Sequence, residues 1–283
     1  MTLLQILILA IVQGAAELLP VSSSAHVIVA EKLMGLDPTA PEMTLLLVML
    51  HTGTMFAVIF FFWKSWQESF FSSSKVFWET VKYIFAATLL TGVVGLTLKF
   101  LIEKFFMKDV QHAEIELLFG NMSLISAALA AVGLLILYAG LKNRAALENG
   151  TPLEMKASCY IGAVQGLCLP FRGFSRSGAT ISAGLLMGVP RKRLEAFSFA
   201  LAVVLTPPVI AREVLRALHQ HSSASDMTRL FMPSLMGMAF SFIAGLIALK
   251  WLSNWLENGR WQLFGIYCLF ASAIVFTLHQ NGY

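Results

Sequence analysis

Two apolar stretches of the chain are interrupted in the same way: Ile11–His26 reads IVQGAAELLPVSSSAH, and Ala163–Thr180 reads AVQGLCLPFRGFSRSGAT. Each contains Val-Gln-Gly, then Leu-Pro, then a serine-rich turn. The apolar runs beside each turn are about 10–16 residues long, whereas a helix needs roughly 20 to cross a bilayer. We therefore predict that residues 2–34 and 158–189 form two re-entrant helix–loop–helix hairpins, each entering and leaving the membrane on one side.

Three longer apolar segments follow each hairpin. They have the length and composition of transmembrane helices and cover residues 44–63, 83–101, 117–140, 195–211, 231–251 and 262–279. Because three is an odd number, the second hairpin would enter from the opposite face. Halves of about 1–150 and 151–283 would then form an inverted-topology repeat whose hairpin tips meet near the midplane. The predicted fold class is an all-α integral membrane protein with a single membrane domain over residues 1–283.

The composition supports a membrane protein and argues against nucleic-acid binding. Hydrophobic residues make up 57% of the chain, charged residues only 13%, and the mean hydropathy is +0.74. Charged residues average about 25% in soluble domains. With a net charge of only +4, the basic residues are expected to orient loops rather than to bind nucleic acid. The three cysteines lack metal-ligand or disulfide spacing and are expected to be small buried residues.

The basic residues also predict an orientation in the membrane. If both hairpins are re-entrant, seven of the 20 Lys and Arg residues lie on the membrane face that carries both termini, and eleven lie on the opposite face. The remaining two, Arg172 and Arg176, lie in the second hairpin. Cytoplasmic loops carry the excess of basic residues. We therefore expect both termini to lie outside the cell.

Gln13 and Glu17 are polar residues on one side of the first hairpin's opening helix, because they are spaced i and i+4. A carboxylate facing lipid would be costly, so this side is expected to face the protein interior. An amide oxygen beside a carboxylate can hold a hard cation such as Mg²⁺ or Ca²⁺. The alternative is that Glu17 only pairs with Arg176 to hold the two hairpin tips together.

The turn of the first hairpin contains three serines and a histidine at membrane depth. Ser23 and His26 are close enough in a turn to act as nucleophile and base, or as a phosphate-binding hydroxyl beside a nucleophilic histidine. Ser22 and Ser24 are candidate phosphate ligands. A serine that caps the following helix is the alternative, and capping by one serine does not exclude chemistry by another.

The turn of the second hairpin has the composition of an anion site. A glycine-bearing loop with an arginine lies at the start of a helix, where backbone N–H groups can point at an anion and a guanidinium can grip phosphate oxygens. The candidate phosphate-binding residues are Gly173, Ser175, Arg176, Ser177, Gly178 and Thr180. The alternative for Arg176 is simple neutralisation of Glu17.

Four further polar residues lie close to these turns in sequence or in the predicted helices. Arg172 is predicted at the rim of the second hairpin, in contact with lipid headgroups. His51, Thr52 and Ser198 either border the site or form buried hydrogen-bonded groups.

These motifs resemble those of the bacterial undecaprenyl-diphosphate phosphatases of the BacA/UppP family. QGAAELLPVSSSAH resembles the family's first motif, Glu or Gln, then Glu four residues later, then Pro-x-Ser-Ser-x-x-His. GFSRSGATISAGLLMGV resembles the second, and the runs LHTGTMFAVIFFFW and EAFSFALAV also fit. The likeness covers essentially the whole chain. Arg172 replaces the proline that usually precedes the glycine of the second motif, and VVLTPPVIA also differs from the family's usual sequence.

The resemblance implies a metal-dependent hydrolase of the bacterial inner membrane. It would remove the terminal phosphate of undecaprenyl diphosphate on the outer face, recycle the lipid carrier of cell-wall synthesis, and confer bacitracin resistance. Gln13 and Glu17 would serve the divalent cation or activate water. Ser23 and His26 would act as nucleophile, acid or base. Arg176, which would also be catalytic, would bind the diphosphate with Ser175 and Ser177.

Lipid transport is the alternative function, because an inverted repeat with broken helices is also a transporter architecture. The protein would then flip a polyprenyl phosphate across the membrane, alone or in addition to hydrolysis. The expected partners are undecaprenyl diphosphate and membrane lipid, and nucleic acid is not expected to bind. A second copy of the chain, forming a homodimer, is a further candidate partner.

Overall fold

The computed structural model describes residues 1–17, 19–106, 118–142, 151–220, 224–258 and 261–282. Within these ranges the chain is helical and contains no strand. Ten helices follow one another: α1 Leu3–Glu17, α2 Ser23–Leu33, α3 Pro41–Phe70, α4 Ser74–Phe106, α5 Met122–Lys142, α6 Met155–Cys168, α7 Arg176–Leu186, α8 Arg191–Gln220, α9 Ala224–Asn258 and α10 Trp261–Gln280.

The six predicted transmembrane segments are confirmed. Within the described part of the chain, six helices are long and apolar enough to cross a membrane: Glu42–Phe70, Ser74–Phe105, Met122–Lys142, Arg191–Arg216, Leu230–Lys250 and Trp261–Gln280. Most extend beyond the apolar segments that predicted them, and the third begins at Met122 rather than 117. Their outer surfaces expose large side chains such as Phe85, Leu96 and Phe270, each more than 60% accessible. Such surfaces suit contact with lipid.

The other four helices have 11 to 15 residues and are too short to cross a bilayer at 1.5 Å per residue. The breaks between α1 and α2, and between α6 and α7, fall within the two predicted turns. The order of two short and three long helices occurs twice, with lengths of 15, 11, 30, 33 and 21 residues and then 14, 11, 30, 35 and 20. Re-entry from opposite faces, and hence the inverted repeat, stays a prediction.

The first helix of each hairpin packs mainly against a long helix of the other half. α1 lies against α9 and α6 lies against α4, whereas α2 and α7 also contact long helices of their own halves, α5 and α8. Gly14 permits the first contact, because a Cβ atom there would lie 2.6 Å from the Cβ atom of Ala244. Gly162 permits the second, since its Cβ atom would lie 2.2 Å from the carbonyl oxygen of Ala87. These glycines allow α1 and α6 to pack closely against the long helices of the other half.

The two turns depend on left-handed backbone conformations. Ser22 has φ 67° and Gly173 has φ 101°. A side chain at Gly173 would also bring its Cβ atom to 2.6 Å from the carbonyl oxygen of Ile125. Glycine is therefore required at 173, whereas Ser22 keeps a conformation that is unfavourable for a residue with a side chain.

Candidate active site

A cavity of about 240 Å³ lies where the turns of the two hairpins meet. Its polar end is formed by the end of α1, the α1–α2 turn, the start of α2, the α6–α7 turn and the start of α7, while α3 and α8 form the remaining walls. The polar lining residues are Glu17, Ser22, Ser23, Ser24, His51, Arg172, Ser175, Arg176, Ser177 and Thr206. Residues distant in sequence are therefore brought into one site.

Glu17 lies at the centre of this site, and both of its carboxylate oxygens accept hydrogen bonds. Oε2 accepts from Ser23 Oγ at 2.5 Å and from the Gln13 amide nitrogen at 2.8 Å. Oε1 accepts from Arg176 Nη2 at 3.2 Å. The Glu17 side chain is only 13% exposed. A carboxylate with these donors is held in one orientation and is placed to accept the serine proton.

Arg176 connects the second hairpin to the first and to α8. Its Nη2 atom pairs with Glu17, its Nη1 atom donates to the Ser198 carbonyl oxygen at 3.0 Å, and its guanidinium lies 6.0 Å from the centre of the Phe199 ring. The predicted pairing of Glu17 with Arg176 is therefore present. It does not exclude a phosphate-binding role, because the guanidinium also lines the cavity.

Among the described residues, His51 is the histidine that lines the cavity. Its Nδ1 atom lies 2.8 Å from the Leu47 carbonyl oxygen. A carbonyl oxygen can only accept, so Nδ1 carries the proton. The Nε2 atom then faces the cavity, 3.5 Å from Ser23 Oγ and 3.5 Å from Glu17 Oε2. Of the two roles predicted for His51, the structure favours the one that borders the site.

His26, predicted as a catalytic residue, is not among the residues that line the cavity. Its Nδ1 atom lies 2.8 Å from the Ser22 carbonyl oxygen and its Nε2 atom 2.8 Å from the Tyr267 hydroxyl, with the two rings stacked. Because Nδ1 donates to the carbonyl, the neutral ring accepts from Tyr267 at Nε2. This arrangement fixes the backbone at Ser22, next to Ser23, instead of directing a ring nitrogen at the cavity.

The α6–α7 turn presents serine side chains beside Arg176. Ser175 caps α7, since its side-chain oxygen accepts from the Gly178 backbone N–H at 3.2 Å, and its hydroxyl lies 3.5 Å from that of Ser177. Both serines line the cavity, whereas Gly173, Gly178 and Thr180 do not. The Thr180 hydroxyl is buried, 2.7 Å from that of Ser198. Thr180 and the two glycines therefore shape the turn without reaching the cavity.

Gln13 and Glu17 do not present two oxygens to one point. The Gln13 amide nitrogen donates to Glu17 and to Thr54 Oγ1 at 3.3 Å, and its buried oxygen has no hydrogen-bond partner. Among the described residues, no group of three or more His, Cys, Asp and Glu side chains could hold a metal. Magnesium commonly uses one or two carboxylates together with substrate phosphates. Glu17 fits such a site, and the metal role of Gln13 stays a prediction.

Comparison with known proteins identifies the class to which this membrane protein belongs. The family model "Bacitracin resistance protein BacA" matches residues 6–274. The undecaprenyl-diphosphatase 2 of Acinetobacter baylyi is 56% identical, over 98% of each chain. The undecaprenyl-diphosphatase of Fusobacterium nucleatum is 30% identical, over 96% of this chain and 99% of its own length.

The fold and the cavity define a multi-pass membrane protein with a polar site enclosed between its helices. The chain belongs to the BacA family.

Proposed function

We propose that this protein hydrolyses undecaprenyl diphosphate to undecaprenyl phosphate and inorganic phosphate. The observation that carries the proposal is the convergence of Glu17, Ser23 and Arg176 in one cavity between apolar helices. A carboxylate, a hydroxyl and a guanidinium are the groups that phosphoryl transfer requires for proton removal, attack and charge neutralisation. The 56% identity to an undecaprenyl-diphosphatase supports the same activity.

The shape of the cavity suits a lipid with an anionic headgroup. Beyond its polar end the walls are apolar, with Leu47 and Met55 from α3 and Val203 and Val209 from α8. The diphosphate would lie against the two turns, and the prenyl chain would run between α3 and α8. The apolar walls would stabilise the bound prenyl chain, while the fixed polar groups would select the diphosphate headgroup.

The chemistry begins with Ser23. Its hydroxyl donates its proton to Glu17 Oε2, and its Oγ atom forms a bond to the terminal phosphorus while the bridging P–O bond breaks. Undecaprenyl phosphate leaves with the bridging oxygen. Arg176, Ser175 and Ser177 bind the phosphate oxygens and stabilise the charge of the transition state.

A water molecule then completes the reaction. His51 Nε2, which lies 3.5 Å from Ser23 Oγ, accepts a proton from that water as it attacks the phosphoserine. The Oγ–P bond breaks, Ser23 recovers its proton from Glu17, and inorganic phosphate leaves. His51 then releases the proton that it took from water to the solvent, so that both side chains return to their starting state. His26 supports both steps from outside the cavity by holding the Ser22 backbone.

We further propose a divalent cation, Mg²⁺ or Ca²⁺, as cofactor. Glu17 and the phosphate oxygens of the substrate would hold it, and Gln13 would orient the carboxylate. When bound, the cation supplies further charge neutralisation at the phosphoryl group.

The proposed location is the bacterial inner membrane, with the cavity open to the outer side and both termini outside. There the enzyme would recycle the lipid carrier and thereby confer bacitracin resistance. The positive-inside distribution of basic residues and the family membership support this assignment.

The proposal is tested with purified protein in detergent and in liposomes. The detergent assay follows phosphate release from undecaprenyl diphosphate and identifies undecaprenyl phosphate as the second product. The liposome assay measures transfer of a labelled polyprenyl monophosphate between leaflets. Hydrolysis without transfer is the expected result. Transfer without phosphate release by folded protein would replace the hydrolase with a flippase, a function that the compared relatives do not support.

A further inference from the structure

We propose that Tyr267, on α10, is a positioning residue for the reaction. Its hydroxyl holds the His26 ring, which in turn holds the backbone of Ser22. That backbone sets the direction of the next residue, Ser23, whose hydroxyl attacks phosphorus in the proposed mechanism. The proposal rests on the proposed function and deepens it.

The two turns place a functional residue at the same point but secure it in different ways. Ser23 and Arg176 are each the first residue of a helix, α2 and α7, and each follows a serine N-cap. Ser175 caps α7 in the usual way, because its side chain accepts from the Gly178 backbone N–H. Within the described chain, the Ser22 side chain makes no capping bond to α2. The start of α2 is therefore held by another group.

The backbone of Ser22 also has an unfavourable conformation. Its φ is 67° and its ψ is 85°, whereas N-cap residues usually lie in the extended region. The left-handed region is disfavoured for a residue with a side chain. The Ser22 carbonyl oxygen accepts a long bond of 3.4 Å from the His26 backbone N–H, and a shorter bond of 2.8 Å from the Nδ1 atom of the same residue. The His26 ring therefore supplies the stronger restraint on the peptide unit that precedes Ser23.

Tyr267 fixes the His26 ring from the opposite side. Its hydroxyl lies 2.8 Å from Nε2, and the two rings stack with 5.7 Å between their centres and 12° between their planes. Because Nδ1 donates to the Ser22 carbonyl oxygen, Nε2 of the neutral ring accepts and the tyrosine hydroxyl donates. These contacts set both the tautomer and the rotation of the imidazole. At the equivalent point of the second turn, four residues after the N-cap, lies Ala179, whose methyl group cannot donate a hydrogen bond.

The restraint matters because the attacking hydroxyl is closely placed. Ser23 Oγ lies 2.5 Å from Glu17 Oε2, the proposed base. A change in φ or ψ at Ser22 would rotate Ser23 and move its hydroxyl away from that oxygen. A displacement of about 1 Å between reacting groups can cost about a hundredfold in rate. Tyr267 should therefore affect the rate of bond breaking more than the binding of the substrate.

The test measures the single-turnover rate constant for undecaprenyl phosphate formation and the enzyme concentration that gives half the maximal rate. Tyr267→Phe, which keeps the ring and loses the hydroxyl, should lower the rate constant about fivefold, as expected for one lost hydrogen bond. The half-maximal concentration should change less than about twofold. The matched control is Tyr138→Phe, because Tyr138 is an exposed tyrosine on α5 outside the cavity lining, and its rate should match that of wild type. Thermal unfolding in the same detergent shows whether each variant is folded.

Two double variants separate this role from a merely structural one. In His26→Ala, adding Tyr267→Phe should have no further effect, because the hydroxyl acts through the histidine ring. In Ser22→Gly, adding Tyr267→Phe should cost less than about twofold, because glycine adopts positive φ without a steric penalty. A fivefold loss in either background would overturn the proposal. A wild-type rate constant in folded Tyr267→Phe, or weaker binding with an unchanged rate constant, would also overturn it.

A measurement on wild type makes the test independent of how the variants fold. Nitrogen NMR of protein labelled with ¹⁵N-histidine, with the His26 signals assigned from His26→Gln, should show at pH 8 a neutral ring protonated at Nδ1. A ring protonated at Nε2 would overturn the proposal. Absence of hydrolysis by folded wild type would refute the proposed function, whereas the tautomer reports the contact between Tyr267 and His26 in either case.

Discussion

Replacing Glu17 by glutamine removes the carboxylate and leaves the shape of the side chain almost unchanged. Glutamine keeps the length of the side chain but replaces one acceptor oxygen by a donor NH₂ group. In the protein, donors approach both oxygens: Arg176 at Oε1, and Ser23 and Gln13 at Oε2. Either orientation of the new amide therefore directs NH₂ at a donor, and neither orientation provides a base.

The expected loss follows from these contacts. Removal of a general base costs about 10²- to 10⁴-fold in rate. If NH₂ faces Ser23, the hydroxyl also loses its orienting acceptor. If NH₂ faces Arg176, the guanidinium loses its partner in a site that is only 13–22% exposed. We expect the single-turnover rate constant for phosphate release from undecaprenyl diphosphate to fall about a thousandfold, near the middle of the range for a lost base.

The assay is single-turnover phosphate release by purified protein in detergent with added Mg²⁺. The matched control is Glu68→Gln, an exposed glutamate on α3, for which the rate should match that of wild type. Thermal unfolding in the same detergent shows whether Glu17→Gln is folded. A folded Glu17→Gln protein that keeps more than a tenth of the wild-type rate would refute the assignment of Glu17 as the base.

Four other predictions concern neighbouring residues. His26→Gln, whose amide can donate to the Ser22 carbonyl oxygen, should keep at least tenfold more activity than His26→Ala; equal losses would instead indicate acid–base chemistry by His26. His51→Gln should slow the second step about a hundredfold and accumulate phosphoserine, detected by mass spectrometry; unchanged turnover would contradict its role. Gln13→Glu should stay active and need less added Mg²⁺ in a chelator titration, because a second carboxylate favours the cation; an inactive, folded variant would contradict this. Glu31→Gln should remove a pH dependence of thermal stability: the pKa of Glu31 is raised from 4.5 to about 8 by burial, so its contribution is complete below pH 4.5 and lost as pH rises through 8. Identical melting profiles of the two proteins at pH 5, 7 and 9 would contradict that contribution.

Much of the fold could be predicted because hydrophobic length and helix-breaking turns are local properties. The six spans and the breaks at ELLPVSSSAH and LPFRGFSRSG follow from the length of the apolar runs. The contact between Glu17 and Arg176 could be anticipated because each is costly to bury alone, so a partner across the two hairpins was to be expected.

The sequence could not predict which of the two histidines, His26 or His51, faces the cavity, because this depends on the rotation of individual helices about their axes. His26 lies three residues after Ser23, yet its ring turns to Tyr267 on α10. His51 is far from both turns in sequence, yet α3 carries its Nε2 atom to 3.5 Å from Ser23. A histidine followed by Thr-Gly-Thr in an apolar helix was the available signal. Only the packing of α3 against the first hairpin shows which histidine faces the cavity.

The position of Arg172 was also beyond sequence reasoning. A charged residue in a turn at membrane depth is compatible with a headgroup contact at the rim or with a buried site. Phe119, more than fifty residues earlier in the chain, stacks on the guanidinium, and Arg172 also lines the cavity. Its contact with lipid headgroups stays a prediction.

The most direct test of the central claim is phosphate release from undecaprenyl diphosphate by wild type, Ser23→Ala and Arg176→Ala. Each variant alters a different hairpin. If one site is built from both turns, wild type releases one phosphate per diphosphate, and each folded variant loses at least about a hundredfold in kcat/KM. No release by folded wild type, or a wild-type rate in folded Arg176→Ala, would contradict a diphosphatase site shared by the two hairpins.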